Sequence, residues 1–464
     1  MAYSSFSESG LDGFKTKKIK AVLGNTPQSP SGISAVDIGI NRSYNNGAAS
    51  VFFTPAIEGE VATSYRVTST PGSYTATGTT SPIVITGLQS NTQYTFVVNS
   101  ANSVGFSEDS IPSNLITATT VPEAPTITSV THGFEKVSVA FTGNGTGGKT
   151  ITSYNAIPNT GSSQSGGSSP INVTSLTAGT SYTFTVTATN ANGVSAASSI
   201  SNSATPFTAT GGTITTYSGF RSHTFTGTSN FTITGNSAIV DYLVVAGGGG
   251  GGRSSGYNGS GTGGGGAGGV IVRTSQTFPN AILTCTIGGG GSGATGGAGG
   301  TGGISTIIGT GLATVSSAGG GGGGRSGGGG ATSGASGGGG GGSGTYASDG
   351  DATTFGNNSG GLGGGGAGAA SSGVAGGIGH INPFRDSTSV YYGGGGSGGQ
   401  YGTSTPGGLG GGGTGAQGSY GNGRTGGSDG GANTGGGGGG VVEENNDHNG
   451  FNGGSGIIVI RYPV

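Results

Sequence analysis

The sequence predicts an all-β protein in three parts: two tandem sandwiches, then a β-framed glycine-rich domain. Three observations predict it. A segment beginning at Ser81 recurs 88 residues later at Ser169. Both copies alternate aromatic or β-branched residues with polar ones, the period of half-buried strands. And 90 of the 116 glycines fall between residues 247 and 456, a stretch with only 12 charged residues. Glycine so concentrated is a different material from the Ser/Thr/Val/Tyr-rich sequence before it.

Residues 1–26 form a mixed leader. Its cations Lys15, Lys17, Lys18 and Lys20 follow a polar stretch, and no apolar core comes after them, so a secretory signal is not expected. The longest apolar stretch, near Ile239 to Ala246, contains Asp241 and is far short of a membrane span of about 20 residues. The expected route is synthesis in a cytosol without obvious export.

The repeat divides the middle into segments 27–120 and 121–206. Ser81-Pro82-Ile83-Val84-Ile85-Thr86-Gly87-Leu88 matches Ser169-Pro170-Ile171-Asn172-Val173-Thr174-Ser175-Leu176. At the same offset Phe53 meets Phe141, Tyr94 meets Tyr182, Phe96 meets Phe184, and Gly105 meets Gly193. A period this long is a domain duplication, not a solenoid unit. The runs Leu88 to Tyr94 and Leu176 to Tyr182 resemble the tyrosine corner of fibronectin type III domains. Asn102 to Gly105 and Asn190 to Gly193 are similar to that family's F–G turn, and Pro122-Glu123-Ala124-Pro125 to its entry segment. Phe53 and Phe141 stand where the family often has Trp in strand B, and there is no Arg-Gly-Asp. The resemblance implies a fold; it says little about function.

Segment 207–464 starts with short strand-like pieces at Thr213–Thr215, His223–Phe225, Phe231–Ile233 and Asp241–Val245. Val270–Val272 and Ile282–Ile287 follow, and Ile457–Tyr462 closes the chain. Glycine loses the most backbone entropy on ordering and has no side chain to bury. One ordered solution is a bundle of polyproline II-type helices, which lack internal hydrogen bonds and can bond side by side when Cβ atoms are absent. Disorder is the alternative that composition leaves open; scarce charge and the bracketing strands favour order.

Tyr242-Leu243-Val244-Val245-Ala246-Gly247, the glycine runs, and Gly454 to Tyr462 together resemble the glycine-rich domain common in tailed-phage proteins. They are also similar in style to phage tail-fibre tip adhesins built on a polyglycine II sandwich, although the fibronectin-like pair is not part of the simplest of these. The resemblance implies a bacteriophage virion structural protein, a tail fibre or tip component that binds the host surface. It would join other virion structural proteins through its N-terminus. It would meet a host surface polysaccharide or outer-membrane protein at its distal loops, in the virion and extracellular after release. A capsid decoration or head-fibre protein and a self-assembling filament are the alternatives. Homo-oligomerisation is left open.

Other chemistry is not expected. Val244-Val245-Ala246-Gly247 imitates a dinucleotide loop, but more glycine follows where that motif needs a helix. A net charge of −2 gives no footprint for nucleic acid. His132, His223, His380 and His448 show no metal-pair spacing. Asp349-Gly350-Asp351 and Glu443 to His448 concentrate oxygen ligands without fitting an ordered calcium loop. Cys285, alternating with Thr, reads as a packed residue. No cofactor, metal or enzymatic activity is therefore expected, although a carbohydrate-cleaving pair assembled from distant loops is a rival.

The breaks between glycine runs hold most of the tract's aromatic and charged residues. Phe384, Arg385, Tyr391, Tyr392, Tyr401, Tyr420 and Arg424 are the expected receptor-binding residues, because aromatic faces with polar partners suit sugar or protein surfaces. His380 to Tyr392 contains no glycine and is long enough to project as a loop. The alternative is that these aromatics seal the lattice edges.

Overall fold

The computed structural model describes residues 24–57, 59–253, 261–325, 344–348, 351–355, 363–419, 423–442 and 448–464. Every element among the described residues is a strand. The first unit contains β1 (Ser31–Asp37), β2 (Gly47–Thr54), β3 (Ser64–Thr70), β4 (Thr75–Gly78), β5 (Ile83–Leu88), β6 (Thr92–Ala101) and β7 (Ile116–Ala118). A sheet ordered β1-β2-β5 packs on one ordered β4-β3-β6-β7. Alternation along the strands delivers Val51, Ile85, Phe96 and Val98 to the shared core.

The second unit repeats that plan. Its strands are β8 (Thr126–Gly133), β9 (Lys136–Thr142), β10 (Ser153–Pro158), β11 (Gln164–Gly166), β12 (Ile171–Val173), β13 (Phe184–Asn190) and β14 (Gly193–Val194). The sheet order β12-β9-β8 matches β5-β2-β1, and β11-β10-β13 matches β4-β3-β6; β14 instead closes a hairpin at the end of β13, and a Tyr182–Ala204 bridge stands where β7 pairs with β6. Both units are fibronectin type III-like sandwiches. Their tyrosine corners are equivalent: the Tyr94 hydroxyl accepts from the Gln89 amide at 3.0 Å, and the Tyr182 hydroxyl from the Thr177 amide at 3.0 Å.

A serine ladder completes each sandwich. Ser107, Ser110 and Ser113 donate their amides to Ser100, Val98 and Phe96 of β6, and their Oγ atoms accept from the amides of the same three residues. Ser195, Ser198 and Ser201 do the same to Ala188, Val186 and Phe184 of β13. A three-residue spacing cannot follow a pleat, so the hydroxyl replaces the missing ladder acceptor and satisfies the sheet edge.

The third unit begins with β15 (Thr208–Thr210), β16 (Thr213–Tyr217), β17 (Phe220–Phe225), β18 (Ser229–Thr234) and β19 (Ala238–Val245). It continues with β20 (Val270–Phe278), β21 (Ile282–Thr286), β22 (Ser305–Gly309), β23 (Leu312–Ser317), β24 (Gly344–Ser348) and β25 (Asp351–Phe355). Short pieces β26 (His380–Asn382), β27 (Val390–Tyr392), β28 (Gln400–Tyr401), β29 (Gln417–Ser419) and β30 (Gly423–Thr425) precede β31 (Ile457–Pro463). Two five-stranded sheets, β16-β17-β31-β19-β20 and β15-β18-β21-β22-β23, enclose a core that includes Phe231, Val240, Leu283, Ile307 and Ile460. From Tyr242 onward β19 is buried on both faces, as is β31 from Ile457 to Ile460, which is why these stretches read as continuous apolar runs.

Contacts fix the order of the parts. Asn190 Nδ2 donates to the Thr120 carbonyl at 2.9 Å and Asn192 Nδ2 to Thr119 Oγ1 at 2.7 Å, tying the two sandwiches together. Phe134 of the second sandwich stacks on Tyr462 at 5.4 Å, at the end of β31 remote from the glycine runs. The glycine runs leave from the opposite ends of β19 and β31.

Candidate functional site

The run Gly247 to Gly252 shows how the glycine tract is built. Its amides bond to three neighbours in rotation: Gly247 and Gly250 to Gly303 and Gly300, Gly248 and Gly251 to Gly454 and Phe451, Gly249 and Gly252 to Gly266 and Gly263. Its carbonyls accept from three others, including Gly320 and Gly323 on one and Gly291 and Ala294 on another. Six segments therefore surround the run, and its bonding repeats every three residues. A Cβ built on any of these six glycines would lie 1.9–2.1 Å from a carbonyl oxygen. The glycine requirement is steric: only a bare Cα allows the chains to approach this closely. Backbone bonds between chains replace the missing side-chain core.

This arrangement separates the expected site residues into two groups at opposite ends. At the end near the sheets, β26 and β27 form a hairpin that folds back onto the outer face of β19 and β31. Phe384 and Tyr392 are buried there with Leu243, Val245, Ile457 and Val459. The Arg461 guanidinium lies between the Phe384 ring at 3.9 Å and the Phe220 ring at 4.3 Å, and pairs with Asp241 at 3.0 Å. Tyr217 donates to the Phe384 carbonyl, and Ser222 Oγ donates to the Arg385 carbonyl at 2.6 Å. The expectation of a projecting loop is therefore corrected. Burial of apolar sheet surface outweighs projection, and Phe384 and Tyr392 are inaccessible to a receptor.

Tyr391 and Arg385 lie outside that core. Tyr391 pairs with Ile381 across the hairpin, and both side chains are partly exposed because successive strand residues alternate faces. Arg385 Nε sits 3.1 Å from Asp386 Oδ2. Partial burial works against ionisation of Asp386, but the Thr388 amide and then Arg385 outweigh it and hold its pKa below the usual carboxylate value. Burial raises the Tyr392 pKa, and its hydroxyl has no hydrogen-bond partner among the described residues.

The far end of the runs collects a second set. Arg253 bridges to Val441, and Thr262 to Gly399, with Thr262 Oγ1 donating to the Val441 carbonyl at 2.9 Å. Beside them β28 pairs in parallel with β29, which pairs with β30. Half-buried Tyr401 lies on β28 next to Gln400, whose amide reaches Thr403 Oγ1 at 2.6 Å; Arg424 lies on β30. Tyr420, Asp349, Gly350, most of the Glu443–His448 stretch and nearly all of the leader lie outside the described residues. Among the described residues, no cluster of three or more His, Cys, Asp or Glu is placed to hold a metal.

Sequence reasoning passed over β22 and β23, whose Ile307, Leu312 and Val315 help close the sandwich core. Their signal, β-branched residues around Gly309-Thr310-Gly311, is present but embedded in glycine-rich sequence. It also passed over the aromatic junction of Phe134, Phe207 and Tyr462, which joins residues distant in the chain.

A β sandwich whose strands feed a glycine-rich lattice is the class that the fold defines. A family described as glycine-rich domain matches residues 223–463, and the chain belongs to that family. The match opens at His223 and closes within β31. No curated protein matches the chain. Among solved structures, the chain is similar to chicken CNTN1 FN1–FN3 domains at 12% identity and a TM-score of 0.24, covering 56% of this chain and 93% of that one. It is also similar to several domains of titin at 17% identity and a TM-score of 0.24, covering 38% of this chain and 66% of that one.

Proposed function

We propose that the protein is a bacteriophage virion component, a tail fibre or tip protein whose distal loops bind the host cell surface. The observation that carries this reading is the linear order of the parts. Two sandwiches lead to a β frame, the frame feeds a lattice of glycine runs, and Arg253, Tyr401 and Arg424 lie at the end of the runs away from β19 and β31. Binding residues are commonly carried on loops held by a rigid scaffold. In this reading the runs are polyglycine II helices. Their three-residue bonding period supports that assignment, and at about 3.1 Å per residue a six-residue run carries the loops roughly 19 Å beyond the sheets. The sandwiches act as spacers, and residues 1–26 join other virion structural proteins. The far-end loops meet a host polysaccharide or outer-membrane protein, without catalysis.

The test is antibody raised against the far-end loops, applied to virions that contain the protein. Label at the tail tip together with blocked adsorption supports the reading. Label on heads replaces it with a capsid decoration role, and label with normal adsorption removes these loops from receptor binding.

A further inference from the structure

Two of the chain's four histidines lie where the second sandwich joins the glycine-rich domain. His132, on β8, places Nε2 3.2 Å from the Ser237 carbonyl. His223, on β17, is fully buried. Its Nδ1 lies 2.7 Å from the Gly211 carbonyl and its Nε2 2.9 Å from the Tyr462 hydroxyl. A carbonyl oxygen only accepts, so Nδ1 carries the proton and Nε2 accepts from Tyr462. The partners thus select one neutral tautomer.

Tyr462 is also the ring that joins the two units. It stacks on Phe134 at 5.4 Å and meets Phe207 edge-on at 5.3 Å. Phe134 follows β8 in the second sandwich, and Phe207 lies in the connector before β15. Two charged groups face this cluster. Arg221, two residues before His223 on β17, holds its guanidinium 4.6 Å over Phe134. Glu135, beside Phe134, accepts from Thr208 Oγ1 at 3.2 Å. From β18 the Phe231 ring meets the imidazole edge-on at 5.0 Å. Arg461 and Asp241 pair with each other on the outer face of the sheet.

Protonation of His223 changes this balance. Nε2 gains an N–H aimed at the Tyr462 hydroxyl, which must then accept, and the hydroxyl proton loses its acceptor. A buried cation also appears beside Arg221. Both costs disappear when the junction opens and water reaches the ring. We propose that the His223–Tyr462 pair is an acid-sensitive latch: proton uptake at His223 releases Tyr462 from its seat on Phe134 and Phe207 and loosens the glycine-rich domain from the second sandwich. His132 Nε2 faces the Ser237 carbonyl, which only accepts, so His132 holds the same junction by a donated bond.

The direction of titration agrees. Burial lowers the His223 pKa, outweighing the Gly211 carbonyl, which raises it, while Arg221 lowers it further. The closed junction therefore binds fewer protons than the open one. Its stabilisation is complete above the unperturbed histidine value of about 6.5 and is lost as pH falls below it, towards the lowered value. One-proton linkage allows the opening equilibrium to rise by up to about tenfold per pH unit in that window.

The experiment is amide hydrogen exchange on the full chain between pH 8 and pH 5, corrected for intrinsic exchange. The reporters are the junction amides of Glu135, Gly179 and Phe207, which bond to the carbonyls of Phe207, Pro206 and Gly133. The amides of Val98 and Val186 report the sandwich cores. Junction protection should fall below about pH 6.5 while core protection holds. His223→Gln should flatten the profile, and His132→Gln should leave its pH dependence in place. Tyr462→Phe keeps the ring but removes the donor that favours neutral Nε2, so the closed and open histidine values move closer; junction protection should be lower at pH 8 and its fall below about pH 6.5 smaller than in the native protein. This variant also serves if His223→Gln does not fold. A flat profile in the native protein overturns the latch. So does a native profile retained in His223→Gln or in Tyr462→Phe.

Discussion

Replacing Gly250 with Ala tests the glycine lattice at its centre. The new Cβ would lie 2.0 Å from the Ser292 carbonyl oxygen. Ordinary contact starts near 3.4 Å, so one chain must retreat by roughly 1.4 Å. That oxygen already accepts the Gly300 amide at 2.8 Å, and Gly250 itself donates to Gly300 at 2.9 Å and accepts from Gly323 at 2.8 Å. Overpacking a close-packed site costs about 1–3 kcal/mol. Leaving one buried backbone group without a partner costs about 1–3 kcal/mol more. The sum, roughly 2–6 kcal/mol, corresponds to a fall in Tm of roughly 5–20 °C for a domain of this size. Gly296 is the control, because a Cβ there meets nothing within 4 Å. Gly296→Ala should be neutral or stabilising by about 0.4–1 kcal/mol through a less flexible unfolded chain. Differential scanning calorimetry of both variants decides. Equal Tm values for Gly250→Ala and Gly296→Ala would refute close packing of the runs.

Three further outcomes are expected. Ser198→Ala should cost about 1–3 kcal/mol in denaturant unfolding, because the Val186 amide loses its 2.9 Å bond to Ser198 Oγ inside the sandwich; an unchanged midpoint would argue against the serine ladder. Tyr392→Ala should destabilise by about 3–5 kcal/mol as a large buried ring is lost, whereas exposed Tyr391→Ala should leave the Tm within a few degrees of native. Cys285 is buried and its pKa is pushed up to about 12 by that burial, so a thiol reagent at pH 8 should label it only as the protein unfolds; rapid labelling of native protein would contradict the packed sandwich core.

Local pattern made much of this protein legible in its sequence. The offset of 88 residues and the period-two alternation marked two sandwiches because a pleated strand imposes that period on any sequence it buries. Asp241–Val245 and Ile457–Tyr462 marked the frame because strands covered on both faces are almost wholly apolar; their polar members, Asp241 and Arg461, pair with each other. Composition alone left order and disorder open for the glycine tract, since a bare backbone carries no pattern of its own. Only the tertiary arrangement supplied the six neighbours that satisfy Gly247 to Gly252. It also decided the candidate site. Tyr391 and Tyr392 are adjacent in sequence, but a strand sends them to opposite faces, and the apolar surface of β19 and β31 draws Tyr392 and Phe384 inward. Tyr401 and Arg424 belong to the other end of the lattice. The junction of His223, Tyr462 and Phe134 was invisible for a related reason: three ordinary residues from distant segments acquire a role only when folding removes water from between them.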